Sequence, residues 1–386
     1  MIDKEELLSI CQRMIQIPSN REVEGQEKAV AIYLYNLLRD EGIETELVEV
    51  TENRANILGY IRGDGSGPTL MMNGHLDTVE VGAHLNAYSG EVQNGKIYGR
   101  GAADMKCAIA AMAYAQIILA RAQANLKGNL ILAGVIDEET CSRGSLHLLE
   151  KGPVPDMVIV GEATSLNVGI AHKGIVWLRV CFEGKAAHSS HPEAGINAIY
   201  KARRFIQALE EEVIPALQKR IHPLLGSPSL NVGVVRGGQR APTVPAYCVV
   251  EFDRRWIPGE TKESVIQEVK DILERLASEV SDFKYHLGEM EQSAKFIHHT
   301  LNTEPDALIV KKVQQARLLA GFPEASVVGV PFWSDGALFS SQAKIPTVIC
   351  GPGCEKQAHS DNEWVSVDEV YQAVKIYLAS AINICG

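Results

Sequence analysis

Short apolar runs that each close on acids or turn residues set the strongest limit on how this chain folds. Leu70-Met-Met72 follows the turn cluster Gly63-Asp-Gly-Ser-Gly-Pro68, and the run 130–136 closes on Asp137-Glu-Glu139. Met157-Val-Ile-Val160 closes on Gly161-Glu162, and Thr347-Val-Ile-Cys350 on Gly351-Pro-Gly353. Helical stretches separate several of them, the clearest over 106–124. Strands alternating with helices predict an α/β layered domain. Two helices are expected ahead of them. Asp3 and Glu6 have the spacing of a capping box, and Val30, Tyr33, Leu34, Leu37 and Leu38 recur at helical spacing over 24–41, with Gly42 as the stop.

The middle of the chain reads differently. Strand 175–182, helix 196–213, strands 229–235 and 247–256, helix 262–278 and strand 283–288 give the order βαββαβ, a ferredoxin-like pattern. Val176, Leu178 and Val180 fall on one face of its first strand, and Trp177, Arg179 and Cys181 on the other. An insertion at 174–290 is therefore expected, within an α/β domain made of 1–173 and 291–386. A chain of 386 residues suits two such domains.

Composition narrows the function classes. A formal net charge of −11 argues against a nucleic-acid partner. No apolar stretch is read as approaching the ~20 residues of a membrane span, so no membrane partner is expected. The opening Met1-Ile-Asp-Lys-Glu-Glu lacks the pattern of a signal peptide. Eight cysteines without a C-x-x-C pair read as free thiols in a reducing cytoplasm, with Cys350 and Cys354 as packing residues.

In open α/β sheets the functional crevice lies beyond the carboxyl ends of the strands. The first run places His75 and Asp77 there, the second Asp137, Glu138 and Glu139, and the third Glu162; His359 follows the last. Gly99-Arg-Gly-Ala-Ala-Asp104-Met-Lys106 sets an aspartate just ahead of a long helix. Taken singly, each has a bland reading: a solvated strand end for Glu138 and Glu139, a helix cap for Asp104, a turn for Glu162, a surface histidine for His359. Taken together, two imidazoles and several carboxylates would meet at one edge, and only a cation of high charge density makes such a cluster tolerable. Imidazole and carboxylate without cysteine suit zinc, with cobalt or manganese as substitutes. Two divalent ions would balance Asp104, Glu139, Glu162 and one shared hydroxide; a single ion would not.

Several stretches resemble one family throughout nearly the whole chain and in its order. They are Gly74-His-Leu-Asp-Thr-Val79, Gly99-Arg-Gly-Ala-Ala-Asp-Met-Lys106, Asp137-Glu-Glu139, Gly161-Glu162-Ala163, Gly184-Lys-Ala-Ala-His188-Ser-Ser-His-Pro192, Gly195-Ile-Asn-Ala-Ile199, Gly351-Pro-Gly353 and Ala358-His359. The family is that of the zinc amidohydrolases and exopeptidases, which includes aminoacylases, acetylornithine deacetylase, succinyl-diaminopimelate desuccinylase and glutamate carboxypeptidase. The resemblance implies a mixed-sheet α/β zinc-peptidase catalytic domain with an inserted ferredoxin-like lid and dimerisation domain. It implies two Zn2+ per subunit, one held by His75, Asp104 and Glu162 and the other by Asp104, Glu139 and His359. Asp77 would accept the second ring N–H of His75, and Glu138 would be the general base. His188 would stabilise the oxyanion, and the arginine of Asp253-Arg-Arg255 would bind the substrate carboxylate, with Arg255 in that place. Arg254 reads equally as a solvated edge residue. One departure is Pro242, where several relatives carry an asparagine.

The expected activity is hydrolysis of an N-acyl amino acid by a cytoplasmic homodimer. Glu162 favours a deacylase, since the family's peptidases more often have aspartate there. A di- or tripeptidase or carboxypeptidase is the alternative, and a non-catalytic binder a third; retention of Glu138 speaks against the last. His298-His299 read as a polar linker, and Asp335-Gly336 as a turn that lines the substrate pocket in relatives.

Overall fold

The computed structural model describes residues 2–324 and 326–386. The chain divides into two compact units, one running to Ile170 and resuming over Leu301–Gly386, the other formed by Ala171–Thr300.

Among the described residues, nine strands form one sheet in the first unit. Its path runs Glu44–Thr51, Arg54–Ile61, Leu130–Val135, Leu70–His75, Met157–Ala163, Thr347–Gly351, Gly169–His172 and Leu301–Asn302, with Val328–Val330 paired to Gly169–His172. Leu70–His75 runs parallel to both Leu130–Val135 and Met157–Ala163, and Thr347–Gly351 runs parallel to Met157–Ala163. Arg54–Ile61 and Glu44–Thr51 continue the sheet antiparallel, so it is mixed. The four central parallel strands are buried along their whole length, as strands covered on both faces must be. Parallel pairing brings their carboxyl ends to one edge: His75 sits level with Val135, and Gly351 level with Ala163. Gly351 tolerates no side chain, because an added Cβ would collide with the carbonyl of Gly161 on the neighbouring strand.

Helix Cys107–Arg121 buries nearly all of its alanine-rich surface. The segment Ala102–Arg121 is long and apolar enough to cross a membrane, a longer stretch than the sequence reading allowed, yet 89% of its apolar window is buried inside the protein. Helix Lys4–Gln16 opens at Asp3, whose Oδ1 accepts from the amides of Glu5 and Glu6. The Glu6 carboxylate does not return to Asp3. It accepts from Arg121 and from the Tyr114 hydroxyl, a guanidinium fork being a stronger partner than one amide. Only half of the expected capping box forms. Helix Lys28–Asp40 stops as foreseen, with Gly42 at φ 73°.

The inserted unit has the order read from the sequence. Its antiparallel sheet runs Ser229–Gly237, Tyr247–Trp256, Gly174–Glu183, Lys284–Glu289. Val176, Leu178, Val180 and Phe182 are fully buried and share one core with Phe205 of helix Ala198–Ala208 and Val269 and Leu273 of helix Lys262–Glu279. The unit extends ten residues past the expected 290, for a physical reason: the amide of Ile175 donates to the carbonyl of His298 (3.0 Å), and that of Trp177 to Oγ of Ser293 (2.7 Å). His298 is no polar linker. It is 6% exposed, with the ring centroids of Trp177 and Phe296 5.1 and 4.1 Å from its own. Arg254 is no solvated edge residue either; it is 1% exposed and paired with Glu260 and Glu268.

Candidate metal centre

Asp104 lies in the irregular turn Ala102–Lys106 that leads into helix Cys107–Arg121. Its two oxygens face different partners. Oδ1 is 2.9 Å from Nε2 of His75, which is itself 3.7 Å from Oε1 of Glu162. Oδ2 is 3.0 Å from Nε2 of His359, which is 3.2 Å from Oε1 of Glu139. The five residues thus form two imidazole–carboxylate sets that share one aspartate. Ligand atoms of His75, Asp104 and Glu139 lie within 4.8 Å of one another, close enough to surround an ion.

The electrostatics fit such an ion. Burial pushes the carboxyl of Glu162 well above its ordinary range, and the neighbouring Asp104 charge adds to this. Burial likewise pushes Glu138 well up; the charge of His75 opposes it, while Glu162, Asp335 and Glu139 reinforce it. Hydrogen bonds donated to the carboxylates of Asp104 and Glu139 push His359 up to about 10 against the effect of burial. The imidazoles of His75 and His359 offset part of the carboxylate repulsion, and cations of higher charge would relieve it further.

The ring Nδ1 of His75 lies 3.0 Å from the main-chain carbonyl of Asp77 and 3.5 Å from its carboxylate. That carboxylate also accepts from the amides of Glu138 (3.1 Å) and Glu139 (2.9 Å). Asp77 therefore faces both the His75 ring and the Glu138–Glu139 turn. The turn starts at Asp137, at φ 70°, whose carboxylate meets Arg54 at 2.9 Å. Arg54 is also bidentate to the buried Glu27.

A second brace went unforeseen. Glu363, fully buried, accepts from the amides of Ala103 (2.9 Å) and Asp104 (3.0 Å) and from Nη1 of Arg100 (2.7 Å). It ties the turn carrying Asp104 to the segment that follows His359. Neither Glu363 nor Arg54 stood out in the sequence, because each acts through backbone or carboxylate partners far away along the chain.

A cavity of about 280 Å³ opens beside Asp104, Glu138, Glu139, Glu162 and His359, and Pro331, Phe332, Trp333 and Glu355 complete much of its wall. Asp335 is not among the residues lining it. It is 1% exposed, accepts from the Ser145 hydroxyl, and burial pushes its carboxyl up to about 6.

His188 and Arg255 belong to the inserted unit. His188 is exposed, on a segment joined to 242–244 by hydrogen bonds from Ser189 to the carbonyl of Pro242 and from Val244 to that of Ala187. Its Nδ1 accepts from the amide of Ser190 (3.2 Å), so a neutral ring carries its proton on Nε2. Arg255 is 35% exposed, with Nε donating to Asp253.

Known proteins resemble the chain along its whole length. An acetylornithine deacetylase from Myxococcus xanthus is 29% identical over 338 residues, covering 86% of this chain and 85% of its own. The crystal structure of a tripeptidase from Staphylococcus aureus superposes with a TM-score of 0.81 at 21% identity, over 100% of this chain and 99% of its own. That of a dinuclear metal binding peptidase from Bacillus subtilis gives 0.74 at 16% identity, over 98% and 97%. Residues 71–383 match the family description itself, and the chain belongs to peptidase family M20/M25/M40, metal-dependent hydrolases of peptide and amide bonds.

Proposed function

We propose that this protein is a two-metal deacylase of N-acyl amino acids, of the acetylornithine-deacetylase or desuccinylase type, working as a homodimer in the cytoplasm. The observation that carries the two-metal reading is Asp104, with one oxygen toward His75 and the other toward His359. His75, Asp104 and Glu162 would hold one ion and Asp104, Glu139 and His359 the other, with zinc favoured by the donor set and cobalt or manganese able to replace it. Bound there, the metals would supply Lewis-acid polarisation of the scissile carbonyl and a water made acidic enough to attack. Glu138 lines the same cavity and has its amide anchored on Asp77. It would accept the water's proton and return it to the leaving nitrogen. Asp77 acts by positioning, as its carboxylate holds the main chain of both Glu138 and Glu139. His188, with its proton on Nε2, suits an oxyanion donor, and Arg255, oriented by Asp253, suits a substrate carboxylate. Eight unpaired thiols agree with a reducing compartment.

Glu162 and the named deacetylase relative support deacylation over peptide cleavage. The test is release of amine from N-acyl amino acids and from di- and tripeptides, with and without EDTA. Chelator-sensitive turnover of the acylated compounds is expected. Turnover of peptides alone would make the protein a peptidase, and no turnover of either would favour a binder.

A further inference from the structure

Resting on the deacylase reading and narrowing it to the deacetylase rather than the desuccinylase type, we propose that the site selects a short, neutral, apolar acyl group and turns away an acidic one, with Phe332 and Trp333 as the selecting wall and Glu355 as the repelling charge. Beyond the candidate ligands and base, the cavity is lined by Ala163, Pro331, Phe332, Trp333, Ala358 and Glu355. Among the described lining residues there is no lysine or arginine. A carboxylate entering this wall loses water without gaining a cationic partner, and it meets Glu355 as a like charge. An apolar chain gains by burial, about fourfold in affinity per methylene.

The wall is preformed. Phe332 and Trp333 pack against a core cluster that includes Val160, Leu301, Val330 and Ala337. Immediately after them Ser334 and Asp335 are buried, and Asp335 is held by Ser145. Glu355 accepts from the adjacent Cys354 thiol at 3.1 Å. Rigid aromatic surface makes a specific contact at little entropic cost. The amino-acid half of the substrate carries a carboxylate that needs a cation, and none of the described lining residues is a lysine or arginine; the acyl half is what suits this cavity. At about 280 Å³ the cavity stands at the small end of ligand sites, which suits a short acyl group rather than a long chain.

The test uses the zinc-saturated full-length enzyme and a matrix of acetyl, propionyl, butyryl, isovaleryl, benzoyl, succinyl and glutaryl derivatives of the common amino acids and ornithine. On the best amino acid, kcat/KM should rise about fourfold per methylene from acetyl to butyryl, and succinyl should fall at least ~10-fold below butyryl. Trp333→Ala should flatten the rise through KM, Trp333→Phe should restore part of it, and Glu355→Gln should narrow the gap between butyryl and succinyl. A flat series, or succinyl turned over as well as butyryl, overturns the proposal while the deacylase reading stands. Hydrolysis of peptides with none of the acyl amino acids removes that reading and the proposal with it.

Discussion

In the proposed mechanism Asp104 and Glu138 divide the chemistry at the level of single residues. Asp104 touches both histidines, whereas Glu138 touches the cavity and takes its place from Asp77. Glu138→Gln keeps the volume and removes the proton acceptor. It should retain both metals and lose at least ~100-fold in kcat, with metal content measured on the same sample; loss of an ion would make Glu138 a ligand. In the inserted unit, burial pushes the imidazole of His298 down to about 4, with Lys262 and His299 adding their charge. Between this value and the ordinary 6.5 the unfolded chain binds more protons than the folded one. The contribution of His298 is therefore complete above pH 6.5, is lost as pH falls toward 4, and amounts to up to about 3 kcal/mol. Scanning calorimetry of metal-free wild type and His298→Phe should show the variant losing less stability over that interval; parallel curves would place the acid sensitivity elsewhere.

At the level of elements, side chains from distant segments hold the turns that carry ligands. Strand Trp364–Ser366 pairs with Lys96–Tyr98, and Glu363, just ahead of it, reaches the amides of Ala103 and Asp104 while paired to the buried Arg100. Removing one member of a buried ion pair leaves the other charge uncompensated, at about 3–5 kcal/mol. Glu363→Ala should lose that much in denaturant unfolding and also weaken metal binding about 10- to 100-fold in chelator competition, since Asp104 loses its anchor. Unfolding at wild-type denaturant concentration would remove Glu363 from this role. The turn at Asp137–Glu139 is built the same way, from Arg54, Glu27 and Asp77.

For the whole molecule, a shared aspartate and a histidine on another unit make separate demands. Asp104→Ala should impair both metal sites together, whereas Glu162→Ala should weaken mainly one, as read by titrating zinc into metal-free protein. A fully active, zinc-saturated wild type with one ion per chain would contradict the two-metal proposal. His188 lies in the inserted unit, and in the proposed homodimer a C2 axis would let each such unit serve its partner's site. His188→Ala and Glu138→Gln proteins, each nearly inactive, should regain partial activity once subunits exchange. No recovery in proven heterodimers would put His188 in its own subunit's site or outside the mechanism.

The sequence by itself determined the α/β layering, the βαββαβ insertion and the candidate ligands, because these depend on local signals. Uninterrupted apolar runs mark buried parallel strands, alternation marks a one-faced sheet, and acids at strand ends mark the edge where His75, Glu139 and Glu162 meet. Only the tertiary structure decided which oxygen of Asp104 faces which histidine, or that the Asp77 carboxylate also accepts from the amides of Glu138 and Glu139. It also decided that Glu363 holds Asp104 from 259 residues away, that His298 and Arg254 are buried, and that Phe332 and Trp333 line the cavity. Most of these depend on contacts between residues on different elements. Periodicity and residue type record which way a side chain faces on its own element, and carry no information on what the fold brings to meet it.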